Sequence, residues 1–572
     1  MVGARFAEEV RKHDPEGRRV RLTILGAEPR PAYNRVLLPN LLSSVMKEED
    51  FTATVVAGLP VVTAKGTSPS QNGSVLHPDA PMSLRVGAMV IGFDPATKTV
   101  LVESAAASGP LARTTRDHGR PGARSGFGLS AGTAATAIER LSYDVLVLAT
   151  GARPAIPPLP GLLADVEKGA EGRGATGRSA NRLAADVATL HSLADARHIA
   201  AFAQTARRTG GRVAVLGGGV LGLEAARALT VRGTPVTVVH RGGHLMDRQL
   251  DAAAGRVLVD AMRRTGVEVT LGVGAARWEP GRGLWLANGE LVKASGLVLC
   301  TGTVPGTELA RDAGLRLTEA GAVAVDDTLA TSLPGIYAIG DCAGHPGAAG
   351  GLVQPGWEQA AVLASRLTGA APKARYRGSG AVTRLKAAGI ELTAVGASLA
   401  EPGSDADVEV LRIEDPARER YGKLVLSEDR VVGAVLIGLP DAAAGIVQLY
   451  DRDAPAPADR LALLLGRALP PEAAGVSGPG ALPDYAVVCR CNMVTKGQLR
   501  DAWYRGACGR AALSAATRAA TGCGTCGDDL DAMTTWLAET DPSQAAPTSP
   551  TSPADKPAGE TGQEAEKEPA LR

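Results

Sequence analysis

The sequence predicts an α/β protein of several domains, two of them built around strand–helix–strand units. With 572 residues, the chain is too long for one hydrophobic core, and three or four domains are expected. Residues 212–241, RVAVLGGGVLGLEAARALTVRGTPVTVVHR, form one complete strand–turn–helix–strand pattern. A second unit stands at the N-terminus, where the helix-like MVGARFAEEV leads into the strand of RRVRLTILGAE. Strands and helices that alternate in this way form parallel sheets covered by helices.

Each unit has a partner strand further along the chain. YDVLVLATGARP (143–154) follows the N-terminal unit, ASGLVLCTGTVP (294–305) follows the other, and LPGIYAIGDC (333–342) comes last. This nested order predicts that the second domain interrupts the first. Two segments, 104–137 and 162–184, are rich in Ser, Gly, Ala and Arg without apolar periodicity, and we interpret them as surface insertions.

Composition excludes several classes of protein. Hydrophobic residues make up 45% and charged residues 21% of the chain, as in ordinary globular proteins, and the formal net charge is +1. Without a basic cluster, nucleic-acid binding is not expected. No apolar run approaches the roughly 20 residues that span a bilayer, and the N-terminus lacks a secretory signal pattern. We therefore expect no membrane association and a cytoplasmic location.

The turn Gly217-Gly218-Gly219-Val220-Leu221-Gly222 is the strongest nucleotide-binding signal. A GxGxxG pattern alone is weak evidence, but here a strand precedes it and a helix follows, as dinucleotide binding requires. Gly217 allows the tight turn, Gly219 lets a pyrophosphate approach the backbone, and Gly222 permits close packing of helix on strand. The alternative interpretation is a glycine-rich turn without a ligand.

The strand after this turn ends in His240 and Arg241, where NAD-binding units usually place an acidic residue on the ribose. A cationic pair at this position favours the 2′-phosphate of NADPH. The alternative is that Arg241 is a solvated surface residue, which leaves the choice between NADH and NADPH open.

The cysteines form a second candidate binding motif. Five of the seven lie in the C-terminal part of the chain, a clustering more typical of a metal or redox site than of secreted disulfides. Two close pairs, Cys489 with Cys491 and Cys523 with Cys526, offer four thiolates, which suit either zinc or an iron–sulfur cluster. Cys508 fits neither pair, and we do not assign it as a ligand.

Three further segments resemble the signature segments of the two-dinucleotide-binding-domain flavoprotein reductases: ATGARP (149–154), TGTVP (301–305) and TSLPGIYAIGDC (331–342). The resemblance implies that FAD binds the interrupted domain and NAD(P)H the inserted one. It also implies which residues face the two ligands: Thr150, Gly151, Gly340 and Asp341 face FAD, and Thr301 and Gly302 face NAD(P)H. In the superfamily, the aspartate that matches Asp341 hydrogen-bonds the ribityl or phosphate region of FAD.

The N-terminal unit contains only the second half of a phosphate-binding motif. Glu28 closes the strand LTILGAE at a spacing from Gly3 that suits a ribose-binding acid. Gly3 would then be the last glycine of a GxGxxG motif whose first strand and first two glycines are missing from this chain. We therefore expect the chain as given to fold poorly around FAD, or to bind it substoichiometrically.

The C-terminal sequences VVCRCNMVTKGQL and TRAATGCGTCGDDL resemble the bacterioferritin-associated-ferredoxin type of 2Fe–2S domain. The resemblance implies that Cys489, Cys491, Cys523 and Cys526 hold the cluster from loops at helix N-termini, where backbone N–H groups offset its negative charge. Zinc remains the alternative metal.

A finer resemblance extends over most of residues 1–535. Four segments resemble the NAD(P)H-dependent nitrite reductase large subunit and the electron-transfer subunit of assimilatory nitrate reductase: PAYNRVLLPNLL (31–42), HLMDRQLD (244–251), GLVQPGWEQA (351–360) and VTRLKAAGIEL (382–392). Arg35, within the first of these, is assigned to FAD on this resemblance. The sequence departs from the family in the missing first strand, in the irregular segment 51–82, and in having no sirohaem-binding half.

The resemblance implies a domain order and an activity. The predicted domains are a first FAD part at 1–200, an NAD(P) domain at 201–320, a second FAD part at 321–375, an α+β interface domain at 380–465, a helical 2Fe–2S domain at 485–535 and a disordered tail at 540–572. The expected activity is electron transfer from NAD(P)H through FAD and the cluster to a separate nitrate or nitrite reductase, and a homodimer is compatible with it. The alternatives are a ferredoxin or rubredoxin reductase, and a flavin-deficient interaction subunit that binds only the cluster.

Cys300 and Cys342 bear on the route of the electrons. Disulfide reductases of the superfamily carry a CxxxxC or CxxC pair beside the flavin, and residues 1–480 contain no such pair. We therefore interpret both cysteines as structural and expect the electrons to leave through the C-terminal cluster.

Overall fold

The computed structural model of the chain describes residues 1–44, 61–63, 66–67, 81–104, 137–164, 182–348, 350–403, 407–467, 478–489, 492–520 and 526–540. The predicted insertions at 104–137 and 162–184, and the tail at 540–572, fall almost wholly outside these residues. Among the helices within the described ranges, none is long and apolar enough to cross a membrane.

The first unit combines a mostly parallel sheet with an antiparallel one. Its elements are α1 (Val2–His13), β1 (Leu22–Gly26), α2 (Leu38–Leu42), β2 (Val61–Thr63), β3 (Gly66–Thr67), β4 (Met82–Val86), β5 (Met89–Asp94), β6 (Thr99–Ser104), β7 (Ala137–Ser142), β8 (Leu146–Leu148) and β9 (Ala152–Pro154). The parallel pair β1–β4 runs in register from Leu22 opposite Met82 to Gly26 opposite Val86. Strands β5, β6 and β7 form an antiparallel sheet in that order.

The second unit contains a five-stranded parallel sheet with helices on one face and antiparallel strands on the other. Its elements are β10 (Val187–Thr189), α3 (Leu193–Arg208), β11 (Val213–Leu216), α4 (Val220–Val231), β12 (Val236–His240), α5 (Ala252–Arg264), β13 (Val267–Leu271), β14 (Ala275–Glu279), β15 (Gly283–Leu286), β16 (Leu291–Lys293), β17 (Gly296–Leu299) and β18 (Thr303–Pro305). The strand order is β10-β17-β11-β12-β13, so a strand that precedes residue 201 joins this sheet. Strand β11, VAVL, is buried at every position, because Val213 and Val215 pack against helices and Ala214 and Leu216 pack against the antiparallel strands β14 and β15.

The chain then returns to the first unit. This third segment contains α6 (Glu308–Asp312), β19 (Val323–Ala324), β20 (Ile336–Ala338), β21 (Ala343–Gly344) and α7 (Val353–Leu367). Strand β20 pairs in parallel with β8, with Ile336 opposite Leu146. Phe6 and Val10 of α1 share one hydrophobic core with Leu148 and Ile336, and the packing joins residues that are far apart in the sequence.

Two smaller units follow. The fourth contains β22 (Val382–Ala387), β23 (Ile390–Gly396), β24 (Glu409–Asp415), β25 (Arg420–Ser427), β26 (Arg430–Ile437), α8 (Pro440–Arg452) and α9 (Arg460–Leu464), and its antiparallel sheet has the order β22-β23-β26-β25-β24. The fifth contains β27 (Val487–Cys489), β28 (Val494–Thr495), α10 (Lys496–Tyr504), α11 (Arg510–Thr517) and α12 (Gly527–Thr540). Trp503, Leu513 and Leu530 are buried in the core of this last unit.

A buried charge joins the second unit to the fourth. Lys423 of β25 is fully buried, and its Nζ lies 3.5 Å from a carboxylate oxygen of Asp251 and 3.1 Å from one of Glu401. Tyr421 donates to the Asp251 carboxylate at 2.6 Å. Burial opposes ionisation of Asp251, but the hydrogen bonds from Tyr421 and Ala254 and the charge of Lys423 outweigh it and lower the pKa of this residue.

We expect Lys423→Met to weaken the contact between these two units. The substitution leaves the Asp251 and Glu401 carboxylates without their shared cation, and should lower the free energy of unfolding by about 2 kcal/mol, because Glu401 is partly solvated. The lowered pKa of Asp251 means that its contribution is present at neutral pH and lost as the pH falls, so the variant should unfold at a higher pH on acidification. Urea titrations at several pH values measure both effects. Lys293→Met, at an exposed position of β16, is the matched control and should change the stability by less than about 0.5 kcal/mol.

Candidate dinucleotide sites and cysteine cluster

The loop between β11 and α4 has the geometry of a phosphate-binding turn. Gly217 has φ +121°, and a Cβ there would lie 2.2 Å from the carbonyl oxygen of Cys300. A Cβ at Gly222 would lie 2.0 Å from the carbonyl oxygen of Gly217. At Gly219, which caps α4, a Cβ would meet no atom within 4 Å. The first and last glycines thus allow close backbone packing, while Gly219 faces open space at a helix N-terminus, a place that suits a pyrophosphate.

His240 and Arg241, the predicted pair after this loop, have different surroundings. His240 accepts a hydrogen bond from the Gly218 N–H on Nδ1 at 3.3 Å, and its Nε2 lies 3.4 Å from a carboxylate oxygen of Asp247. Arg241 is exposed at the end of β12. Of the predicted pair, His240 therefore supports the loop, and Arg241 extends into solvent.

The two Thr-Gly turns lie side by side where the first and second units meet. Strand β9 pairs with β18 in antiparallel fashion directly after the turns. Thr150 donates through its hydroxyl to the Gly306 carbonyl, and Thr301 donates to the Ala155 carbonyl. Gly151 has φ +69° and Gly302 has φ +102°, values that favour glycine. The tertiary structure thus brings together two turns that are far apart in the sequence.

Around Met1, four of the residues predicted to face FAD come together. Arg35 donates to the Glu28 carboxylate, and its backbone N–H donates to the Met1 Sδ at 3.2 Å. Burial, and then the charge of Arg35, lowers the pKa of the Met1 amino group to about 6, while Glu28 and Asp341 act in the opposite direction. A Cβ at Gly3 would lie 3.3 Å from the Cβ of Ala149, which is the close helix–strand contact expected of a third motif glycine.

Asp341 presents an exposed acceptor that fits a polar ligand. It is exposed to solvent, yet the protein packed around it raises its pKa, and it accepts one hydrogen bond from the Gly351 N–H at 3.3 Å. Gly340, with φ +75°, donates its N–H to the Gln359 side chain at 2.7 Å. Thr150 is also exposed in this region. An exposed acceptor carboxylate beside an exposed threonine fits a hydroxyl-rich ligand such as the ribityl chain of FAD.

Two of the four predicted cluster cysteines are close together, and the other two, Cys491 and Cys523, lie outside the described residues. The Cys489 and Cys526 side chains are buried and hydrogen-bonded to each other, and this contact lowers the pKa of Cys489 to about 6. Burial opposes the shift, and N–H groups of Ala520 and Asn492 support it. Sulfur atoms surrounded by N–H donors fit anionic thiolate ligands.

Three residues at these sites were missed in the sequence. The Asn492 side-chain amide lies 3.8 Å from Cys489 Sγ and donates to the Arg518 carbonyl at 2.6 Å. Ala520 has φ +59°, which an alanine does not signal in a sequence. Glu224 is a buried carboxylate in the otherwise apolar start of α4. The sequence signal that could have identified Glu224 was a charged residue within the apolar helix LGLEAARAL. For Asn492, the signal was an amide side chain directly after the first cysteine pair.

A cavity of about 1510 Å³ lies where the units meet. Its wall includes Asn34 and Gly351 of the first unit, Glu224 of α4, Arg384 of β22 and Cys526 beside α12. One cavity thus borders the helix that follows the phosphate loop, the N-terminal unit and a predicted cluster ligand.

Comparison with protein families gives three matches that follow one another along the chain. The family described as pyridine nucleotide-disulphide oxidoreductase matches residues 2–364. The rubredoxin NAD+ reductase C-terminal domain matches residues 382–448, and the BFD-like 2Fe-2S binding domain matches residues 487–534.

Curated relatives are similar over most of this chain. A nitrite reductase (NAD(P)H) of Bacillus subtilis (strain 168) is 31% identical over 92% of this chain and 55% of its own length. An assimilatory nitrate reductase electron transfer subunit of the same organism is 28% identical over 88% of this chain and 54% of its own length. The chain spans about half the length of these relatives.

Solved structures support the fold. An NAD-dependent persulfide reductase from A. fulgidus superposes with a TM-score of 0.58 at 22% identity, over 80% of this chain and 76% of that one. The predicted fold class is confirmed: two dinucleotide-binding domains of the flavoprotein reductase type precede a small C-terminal 2Fe–2S domain.

Proposed function

Because this chain belongs to the pyridine nucleotide-disulphide oxidoreductase family, we propose that it carries electrons from NAD(P)H to a separate nitrate or nitrite reductase in the cytoplasm. The chain is an NAD(P)H oxidoreductase, and its cofactors are FAD, NAD(P)H and a 2Fe–2S cluster. The observation that carries the proposal is the cavity shared by α4, the N-terminal unit and Cys526, because it borders both dinucleotide-binding units and the cluster domain.

The properties of the two thiols outside the cluster domain support the proposal that electrons leave the flavin through the cluster. Burial raises the pKa of Cys300 to about 12. It also raises the pKa of Cys342, whose S–H donates to the carbonyls of Leu148 and Ile339. Thiol–disulfide exchange needs a thiolate, so neither cysteine suits the disulfide chemistry of the family.

Each part of the chain has a limited task in this proposal. Bound FAD takes a hydride from nicotinamide and releases its electrons singly, and a bound 2Fe–2S cluster carries one electron at a time. Gly217, Gly219 and Gly222 would hold the pyrophosphate of NAD(P)H at the N-terminus of α4. Asp341 would accept a hydrogen bond from a hydroxyl of FAD, and Cys489 would ligate the cluster. Hydride transfer needs no general base, and we assign none.

Anaerobic titration with NADPH and with NADH tests the proposal. Flavin absorbance should bleach first, and the electron paramagnetic resonance signal of a reduced 2Fe–2S cluster should follow. Reoxidation is then measured with a molybdenum nitrate reductase, a nitrite reductase, a ferredoxin and a rubredoxin. Fast reoxidation by a nitrate or nitrite reductase is expected, and iron-free protein with full flavin would contradict the route through the cluster.

A second candidate has support of its own. Residues 382–448 match a domain described for rubredoxin NAD+ reductase, which favours a small electron-carrier protein as the acceptor. Preferential reoxidation by rubredoxin or ferredoxin in the same assay would establish this candidate. Protein that binds iron but no flavin would instead indicate an interaction subunit.

We expect Arg241→Ala to shift the preference between the two nicotinamide cofactors. If the exposed guanidinium binds the 2′-phosphate, its loss should raise KM for NADPH about tenfold and leave KM for NADH nearly unchanged, because a charge-assisted bond to phosphate is worth about 1.5 kcal/mol. Steady-state reduction of an artificial electron acceptor measures both constants. Arg248→Ala, an exposed arginine further along the same loop, is the matched control. Equal changes in KM for NADPH and NADH would show that Arg241 does not bind the 2′-phosphate.

A further inference from the structure

We propose that Arg518 is a positioning residue that holds the cluster domain on the flavin-binding unit through Glu8 and thereby sets the rate of electron transfer to the cluster. This inference rests on the proposed function. Arg518 follows α11 in the C-terminal unit, whereas Glu8 lies on α1 at the other end of the chain. The contact therefore joins the two parts between which electrons would pass.

The geometry of the pair is specific. Arg518 Nη1 donates to both carboxylate oxygens of Glu8, at 2.6 Å and 2.7 Å. The two side chains are mostly shielded, with exposed fractions of 24% for Arg518 and 19% for Glu8. Arg5, one turn before Glu8, lies 3.7 Å from the same carboxylate and also stacks 5.7 Å from the centre of the Trp357 ring. Partly buried, charge-assisted bonds of this kind are stronger than exposed pairs.

On the cluster side, two hydrogen bonds through Asn492 connect Arg518 to Cys489, a predicted cluster ligand. The carbonyl of Arg518 accepts from the Asn492 side-chain amide at 2.6 Å, and the same amide lies 3.8 Å from Cys489 Sγ. Arg518 has φ +68°, and this left-handed conformation ends α11 as the chain turns toward Cys489. A movement of Arg518 relative to α1 is therefore transmitted to the loop that surrounds Cys489.

On the flavin side, the pair lies next to the N-terminal site. Glu8 and Arg518 line a small cavity together with Met1 and Trp357. Met1 contacts Arg35, which pairs with Glu28 at the candidate FAD site. The ion pair thus connects the surroundings of the candidate cluster to those of the candidate flavin site.

Arg384 of β22 and Asp529 of α12 both line the large cavity between the fourth unit and the cluster domain. Burial raises the pKa of Asp529, and the positive charge of Arg384 acts in the opposite direction. A bound flavin would supply the two electrons of one hydride singly to the cluster, which the acceptor protein would reoxidise between the two transfers, and the one proton of the hydride would pass to solvent.

The test compares Arg518→Gln, Glu8→Gln and the conservative Arg518→Lys in the full chain. Stopped-flow mixing with NADPH follows flavin reduction and cluster reduction separately. We expect flavin reduction to be unchanged and cluster reduction to be about tenfold slower in both glutamine variants, because loss of a charge-assisted pair lowers the docked fraction by about that factor. Arg518→Lys keeps the charge and should be slowed less. High salt should slow the wild-type protein toward the rate of the glutamine variants.

Hydrogen–deuterium exchange gives a readout that does not depend on the cofactors. Exchange in α1 and α11 should rise in both glutamine variants, whereas Arg500→Gln, which removes an ion pair with Asp484 inside the C-terminal unit, should leave α1 unchanged. Because Glu8 lies outside the cluster domain, Glu8→Gln should keep its iron. A slower cluster reduction in this variant would therefore report loss of docking and not loss of the cluster. Cluster reduction at the wild-type rate in Glu8→Gln would overturn the inference and leave the proposed function standing. Failure of NADPH to reduce the cluster in the wild-type protein would overturn both.

Discussion

Cys526→Ser is expected to abolish electron transfer to the acceptor protein while NADPH continues to reduce the flavin. Cys526 is buried against Cys489, and the pair is the described part of the predicted cluster site. Serine is a poor ligand for iron in place of a thiolate, and loss of a first ligand should reduce cluster binding by more than the roughly 100-fold seen for outer-shell changes. Iron and sulfide analysis, the cluster signal in electron paramagnetic resonance, and acceptor reduction measure the effect.

Cys508→Ser is the matched control for this substitution. Cys508 lies in the same unit but was not assigned as a ligand, and it is only half-buried. The variant should keep its iron and its transfer rate. Retention of the cluster in Cys526→Ser, or its loss in Cys508→Ser, would show that the ligand set was assigned wrongly. Zinc in the purified wild-type protein would favour the alternative metal.

Gly222→Ala and Gly219→Ala are expected to affect the phosphate loop in different ways. At Gly222 a methyl group would lie 2.0 Å from the Gly217 carbonyl oxygen, so the loop or α4 must shift, and stability should fall by about 3 kcal/mol. At Gly219 a methyl group meets no protein atom within 4 Å, and folding should be unaffected. The methyl group would occupy the space of a bound pyrophosphate, however, and should weaken NADPH binding about tenfold or more.

Thermal unfolding and NADPH titration separate these two effects. Gly219→Ala should show the wild-type melting temperature with a raised Kd, and Gly222→Ala should show a lowered melting temperature. Gly274→Ala, at another glycine where a Cβ would meet nothing within 4 Å, should change neither quantity. Wild-type affinity in Gly219→Ala would place the pyrophosphate away from this helix terminus.

The nucleotide-binding units were predictable because their signals are local. The spacing of Gly217, Gly219 and Gly222 between a strand and a helix follows from the backbone geometry of one turn. The nested order of strands also determined which segments share a sheet, and β20 pairs with β8 as that order requires. The family and its cofactors are confirmed by comparison, whereas the individual ligand residues remain predictions that the variants above test.

Some roles depended on contacts between distant segments. His240 and Arg241 are adjacent in the sequence, but His240 is bound to the Gly218 N–H, and only the fold shows that Arg241 is the exposed member. Ala520 directs an N–H group toward Cys489 from a left-handed conformation that its residue type does not indicate.

By itself, the sequence determined the fold class, because glycine spacing and strand patterns express backbone geometry within short segments, and its resemblance to known families gave the cofactors. Only the tertiary structure decided that Arg518 meets Glu8, that Lys423 meets Asp251, and that residues of every unit border one cavity. The reason is physical. Such contacts depend on how the domains pack, and an isolated charged residue in a sequence is compatible with a solvated surface as well as with a partner hundreds of residues away.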